Sequence, residues 1–545
     1  MKWQTREELR SLLINLVGFD SITGHKGEVH LIEYVEQELK ALNYFKENPE
    51  LVQTDLLDDG RKLLTALVKA QKPTKKTIIL LSHIDVVGID DYGSFKDLAF
   101  NPDELTQHFR TYHEELPNDA KIDLQSSEEW LFGRGIMDMK AGSTLHLSML
   151  ERAINEQWDG NILLLLVPDE EVNSAGMLKA RETLNWLKQT EDLEYILCIN
   201  SEPMFRQFLQ DQQKYLYTGS LGKALPGFFC YGKESHVGEP FNGLNANLML
   251  SYLNINLELN HSLSERVGEE VTPPPISLMN RDLKEHYSVQ TPLTAVSMYN
   301  VLLMRQAIPT LTKQLMDVMK RTKVQVETHV KQQAEANGYQ VNFDIKLLDY
   351  HTLYEEAVKR HGKELVNKRR EELLKSRVHG DRDFNTLLVQ DLAFLCKDLA
   401  PMMILFYSPP YYPAVSSEHN LLVSKVANRV SQVLKDQYSY EVKTLNYFNG
   451  ISDLSYIGYD SNKESNLKEL YRQMPLNEKE GLLKYLEEDI DVPSINIGPV
   501  GKDPHQWTER LNIDYSLEQL PNVLADAIKF SFKKSLIVHV KKLFL

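Results

Sequence analysis

Along the first two hundred residues, short uninterrupted apolar runs alternate with stretches in which apolar positions recur every three to four residues. Residues from about Thr5 to Leu42 predict two amphipathic helices, with Ser21, Thr23 and Gly24 in FDSITGHKGE breaking the first pattern before HLIEYVEQELKAL resumes it. LLTALVKA, TIILLSHIDVV, NILLLLVPD and EYILCINSE read as strands, and STLHLSMLERAINEQ and GMLKARETLNWLKQT as helices between the later ones. Strands that lack inside–outside alternation and are separated by helices predict an α/β fold, a mostly parallel sheet flanked by helices on both faces.

The pattern changes near Gln213. SLGKALPGFFCYGKESH reads as a strand pair or one long strand and NGLNANLMLSYLNINLELN as a helix, followed by strand candidates TAVSMYNVLLMR, YQVNFDIKLL and MMILFYS. These bracket a charged helical stretch from about Tyr350 to Lys397. Residues 213–414 are therefore expected to form an inserted α+β domain. It would divide a catalytic domain into 1–212 and 415–545, the latter containing NLLVSKVANRVSQVL, TLNYFNGISDLSYIG, DVPSINIGPVG and a closing helix around LEQLPNVLADAIKF.

Composition narrows the function. A chain of 545 residues with 42 % hydrophobic residues can bury two or three cores. Its formal net charge of −16 excludes an extended phosphate-binding surface, so no nucleic-acid partner is expected. Cys198, Cys230 and Cys396 lie far apart without CxxC spacing, which predicts buried free thiols. MKWQTREELRSLL lacks the apolar stretch of a secretory signal, and no run approaches the roughly 18 residues of a membrane span. The expected setting is the cytoplasm, with no membrane partner.

The chemistry lies at the ends of the apolar runs. His83 and Asp85 follow TIILLS, Asp138 stands in GRGIMDMKAG, Glu170 and Glu171 follow NILLLLVPD, Glu202 follows YILCINS, and His505 lies in GPVGKDPHQWTER. Open α/β sheets bind ligands beyond the carboxyl ends of their strands. Two histidines and several carboxylates placed there suffice for two adjacent divalent cations. Asp85, two residues past His83 in an extended chain, points to the same face and can accept the second imidazole N–H. Asp138 sits in a turn context where its two oxygens could bridge two cations. Of the adjacent Glu170 and Glu171, one can bind metal while the other faces a metal-activated water. Singly, each has an ordinary structural explanation: a core histidine, a helix N-cap, a solvated loop pair. Their shared position after apolar runs is what points to a co-catalytic metal hydrolase. The same HxD spacing at His379 and Asp381 falls in a charged helical stretch, where the two side chains would diverge, and reads as coincidence. GRGIMD and GSLGKA lack the spacing of dinucleotide and phosphate loops.

SHIDVV, GRGIMDMKAG, PDEE, NSEP, ESHVGEPFNGLNAN and GPVGKDPHQWTER together resemble the co-catalytic zinc peptidases and deacylases that include carboxypeptidase G, acetylornithine deacetylase and succinyl-diaminopimelate desuccinylase. With its large size the chain most resembles the arginine-utilisation branch, the RocB proteins. The resemblance implies that His83 and Glu202 hold one zinc, Glu171 and His505 the other, and Asp138 bridges them. Asp85 would orient His83 and Glu170 would be the general base. His236, in the inserted lid, would stabilise the oxyanion, and Arg305 would meet a substrate carboxylate; Ser452 and Asp453 resemble a loop near the site. The implied activity is hydrolysis of an amide bond, peptide or N-acyl, in a small amino-acid derivative, with a role in arginine catabolism. The alternative is a catalytically idle relative that binds an amino acid or a protein as a scaffold. Cobalt or manganese suits the same ligands as zinc. Two departures stand out: the segment between Asp85 and Asp138 is longer than usual, and the lid is about twice the usual size. An enlarged lid could replace a second subunit, so the expected state is a monomer or a homodimer.

Overall fold

The apolar runs of the first two hundred residues become the centre of an eight-stranded sheet. The structure is a computed structural model that describes residues 1–208, 211–378, 380–477, 482–487 and 490–542. His379 lies outside them. Two compact units form, one from Met1–Ser220, Val415–Tyr459 and Glu488–Leu545, the other from Leu221–Ala414 and Asp460–Glu487.

In the first unit the strands are β1 (Val52–Leu56), β2 (Lys62–Val68), β3 (Lys76–His83), β4 (Asn161–Val167), β5 (Glu194–Asn200), β6 (Lys214–Tyr217), β7 (Val442–Leu445) and β8 (Ser494–Asn496). Their order across the sheet is β1-β2-β4-β3-β5-β8-β6-β7. The β4–β3, β3–β5, β5–β8 and β6–β7 pairs are parallel, and the other three antiparallel. All seven residues of β4 and all but the first of β3 are buried. That continuity is possible because both faces are covered, so neither strand needs a polar side. Helix Ala141–Glu156, with Leu145, Met149 and Leu150 inward, packs on β3 and β4.

The sequence expectation and the structure part at two places. β6 begins at Lys214, inside the span expected for the insert, yet it pairs in register with β7, and the first segment of that unit runs on to Ser220. Residues 460–487, expected with the closing catalytic segment, group with the second unit. Both depend on pairing between segments hundreds of residues apart, which a local apolar pattern does not encode.

The long segment after Asp85 folds onto itself. Helices Pro102–Thr111 and Asn118–Gln125 enclose a small core in which Tyr92, Leu105, Phe109, Trp130 and Phe132 are buried, with Trp507 packed against it. Trp130–Phe132 joins a three-stranded sheet with Gly501–Lys502 and Arg510–Asn512.

The second unit is built on a five-stranded sheet ordered Ile276–Asp282, Thr294–Leu303, Gly222–Tyr231, Met402–Tyr412, Lys346–Asp349. Its core joins Phe229, Val296, Ile404 and Phe406 to Leu353 and Val389 of the helices Tyr350–His361 and Asp381–Leu395. Of YQVNFDIKLL, only the end pairs as a strand. The 29-residue helix Ile308–Ala336 goes unmarked by the strand-rich reading, because it buries a stripe of Leu311, Leu315, Val318, Met319 and Val326 among charged positions. Among the described residues no helix is long and apolar enough to cross a membrane. The three cysteines are free and buried.

Candidate metal centre

The carboxyl ends of β3, β4 and β5 lie side by side. His83, the last residue of β3, pairs with Val167 of β4, and Leu81 with Asn200 of β5. Glu170, Glu171 and Glu202 therefore leave the sheet beside His83 as a consequence of parallel register. Asp138 arrives from a turn that precedes helix Ala141–Glu156, where Gly135 has φ 72° and the Asp138–Met139 peptide is cis. His505 sits at φ 61° in the loop between the antiparallel strands Gly501–Lys502 and Arg510–Asn512. Asp503 closes that loop by accepting from Thr508 Oγ1 at 2.8 Å and from Arg510.

Asp138 stands between the two imidazoles. Its Oδ1 lies 3.3 Å from His83 Nε2, and its Oδ2 lies 3.3 Å from His505 Nε2. Each imidazole also faces a glutamate: His83 Nε2 is 3.6 Å from Glu202 Oε1 and His505 Nε2 is 3.1 Å from Glu171 Oε1. The facing atoms of His83, Asp138 and Glu171 all lie within 4.8 Å of one another. His83, Asp138 and Glu202 are buried, while the His505 side chain is half-exposed.

The His83 tautomer follows from its other nitrogen. Nδ1 lies 3.0 Å from the main-chain carbonyl of Asp85, which can only accept, so Nδ1 carries a proton and Nε2 is the nitrogen turned toward the carboxylates. The Asp85 carboxylate is farther, at 3.6 Å. It accepts from Glu170 N at 3.0 Å, Glu171 N at 3.2 Å and Thr23 Oγ1 at 2.8 Å. Asp85 thus anchors the loop bearing both glutamates, beyond the imidazole contact its sequence spacing suggested.

The charges demand cations. Asp85, Asp138, Glu170, Glu171 and Glu202 surround two imidazoles, an excess of negative charge even with both rings protonated. Burial pushes the Glu202 and Glu170 carboxyls well above the usual range, with neighbouring carboxylates adding to the shift. Burial works against charge on His505, yet Asp138 and Glu171 push its pKa up to about 11. Histidine nitrogen and carboxylate oxygen converging in one buried cluster fit divalent metal ions, which would replace those protons.

Two groups received no role from the sequence. Glu509 is fully buried; its Oε2 accepts from Gly135 N and from Arg134 Nη1, both at 3.0 Å, and its Oε1 from Met137 N at 3.1 Å and Asp138 N at 3.4 Å. It moulds the turn that presents Asp138. His146 lies behind the site, its Nδ1 3.1 Å from Ser82 Oγ and its Nε2 2.9 Å from Ser201 Oγ, thereby joining the residues that precede His83 and Glu202. Neither follows an apolar run, so the signal that singled out the others passes them by. Asp453 is buried, and burial raises its pKa to about 7; Ser452 accepts from Leu454 N and starts that turn. His236 and Arg305 belong to the second unit and are exposed there. His236 Nδ1 accepts from Gly238 N, and the Arg305 carbonyl from Asn462 Nδ2.

The chain also matches known proteins along most of its length. Residues 79–463 match Peptidase family M20/M25/M40. The chain is 46 % identical to protein YqjN of Bacillus subtilis over 98 % of both chains. It is 30 % identical to Protein RocB of the same organism, covering 94 % of this chain and 93 % of that one. A tripeptidase from Staphylococcus aureus has the same fold, with a TM-score of 0.54 at 14 % identity over 97 % of this chain and 100 % of that one. The chain therefore belongs to peptidase family M20/M25/M40 and is a metal-dependent hydrolase of amide bonds.

Proposed function

We propose that the protein is a two-zinc hydrolase that cleaves a peptide or N-acyl bond in a small amino-acid derivative, within arginine catabolism. The observation that carries the two-ion reading is Asp138, each of whose oxygens faces a different imidazole at 3.3 Å. On this reading His83, Glu202 and Asp138 Oδ1 form one ligand set, and His505, Glu171 and Asp138 Oδ2 the other. When bound, the cations supply Lewis-acid polarisation of the scissile carbonyl and of the attacking water. Glu170, buried and held by its own N–H on Asp85, takes the proton from that water and returns it to the leaving amine. Asp85 fixes both the His83 tautomer and the Glu170–Glu171 backbone. The roles of His236 as oxyanion donor and Arg305 as partner of a substrate carboxylate rest on the family resemblance, as does the reading of the second unit as an enlarged lid. The RocB-like branch directs the substrate search to arginine and ornithine derivatives.

The test is amine release by zinc- or cobalt-loaded protein from a panel of dipeptides and N-acyl amino acids weighted toward those two. Turnover is expected, and Glu170→Ala should remove it while still binding metal. His236→Ala should lower kcat by about 10²–10³-fold if it donates to the oxyanion. A fully metallated protein inert across the panel would favour the scaffold alternative.

A further inference from the structure

A cavity of about 430 Å³ opens in the first unit where the start of β6 meets the sheet containing Trp130 and Asn512. That volume suits a small molecule. None of its lining residues belongs to the metal cluster.

Most charges around it are matched. Lys502 Nζ meets Asp123 at 2.7 Å, and Arg206 meets Asp119 at 2.9 Å and Asp503 at 3.1 Å. Lys214 is different. Its ammonium stands 5.0 Å from the ring centre of Tyr440 and 5.2 Å from that of Tyr515, with no hydrogen bond or ion pair among the described residues. Burial lowers its pKa, and the fields of Glu128 and Asp211 raise it without either carboxylate reaching ion-pair distance. The hydroxyl of Tyr515, which also lines the cavity, is buried with no hydrogen-bond partner among the described residues. Glu128 also lines the cavity, and among the described residues its side chain accepts from Asn512 Nδ2 alone, at Oε2 and 2.7 Å. Unmatched buried polar groups are rare in folded proteins and mark places where a ligand or water completes the bonding. Here that buried group is the Tyr515 hydroxyl; the half-buried Lys214 ammonium and the exposed Glu128 carboxylate line the same cavity and complete a set of one donor, one cation and one anion.

We propose that this cavity is a second binding site, for a free α-amino acid or an equally small zwitterion, with the carboxylate on Lys214 and Tyr515 and the ammonium on Glu128. Trp130, Tyr440 and Phe205 supply the surface for its side chain. Amino acids are also the products expected of the metal centre, so the site would sense their accumulation. The binding claim itself does not depend on that activity.

Isothermal titration of the metal-loaded full chain with L-arginine, L-leucine and L-glutamate, and with agmatine as the arginine analogue lacking the carboxylate, tests the proposal without a turnover readout. At least one amino acid should saturate below about 10 mM. Lys214→Met should weaken it about tenfold or more, Lys214→Arg less, and Glu128→Gln should weaken it too. His505→Ala, which removes a metal-centre group, should leave the binding in place, and agmatine should bind wild-type protein poorly. Thermal melts establish that the variants are folded, and the agmatine comparison needs no variant. Absence of binding by every amino acid, agmatine binding as well as arginine, or binding lost in His505→Ala and retained in Lys214→Met would overturn the proposal.

Discussion

Glu509 shapes the metal centre without facing its cluster: one buried carboxylate collects three backbone N–H groups and Arg134. A carboxylate can do this because it only accepts, and all four partners only donate. Glu509→Gln turns one acceptor into a donor facing donors. The expected cost is about 1–3 kcal/mol of stability, read by denaturant unfolding. Metal affinity should fall about 10–100-fold, read by competition with a chelating dye. Unchanged affinity would mean that the turn keeps its geometry by other means. The sequence marked His83, Asp138, Glu171, Glu202 and His505, and the structure brings them together: His83, Glu171 and Glu202 end or follow strands whose apolar pattern is unmistakable, while Asp138 and His505 stand in glycine-containing turns and loops. It did not mark Glu509, four residues from His505, since a residue that bonds to backbone has no partner visible in the chain.

At the scale of elements, the site depends on how closely strands leave the sheet. β8 runs parallel to β5 and exits through Gly498, where an added Cβ would lie 1.7 Å from the Glu202 carbonyl oxygen. No side chain fits there without moving backbone. Gly498→Ala should displace the end of β5 and its glutamate, lowering both the melting temperature and metal affinity, whereas Gly60→Ala, with open space around it but a positive φ, should affect stability alone. Equal metal affinity in the two variants would show that Glu202 tolerates the shift. β3, β4 and β5 were legible as strands because burial on both faces makes them apolar throughout. The helix Ile308–Ala336 and the two-residue strands were not, since a narrow buried stripe or a two-residue pairing is set by what packs against it.

His146 couples the site to the stability of the whole molecule. Ser201 Oγ donates to the Ile497 carbonyl at 2.9 Å, so it accepts from His146 Nε2–H, leaving Nδ1 to accept from Ser82. Burial lowers the pKa of this neutral ring to about 3. An unfolded chain would titrate it near 6.5, so below that pH the unfolded state binds the extra proton. The stabilisation is complete above about 6.5 and is lost as pH falls toward 3. His146→Gln should therefore melt lower than wild type at pH 7.5, with the gap narrowing as pH falls from 6.5 to 4.5. A constant gap would show that His146 titrates normally in the folded protein.

By itself the sequence determined the α/β class, the central strands and the chemical type of each group at their ends, because periodicity and ligand chemistry are local properties of a chain. Only the tertiary structure decided which oxygen of Asp138 faces which imidazole, that Asp85 anchors the glutamate loop, and that 460–487 joins the second unit. It also decided that the Lys214 ammonium stands over the rings of Tyr440 and Tyr515, with no ion pair among the described residues. Those outcomes depend on register and packing between segments far apart in sequence, and no local pattern contains them.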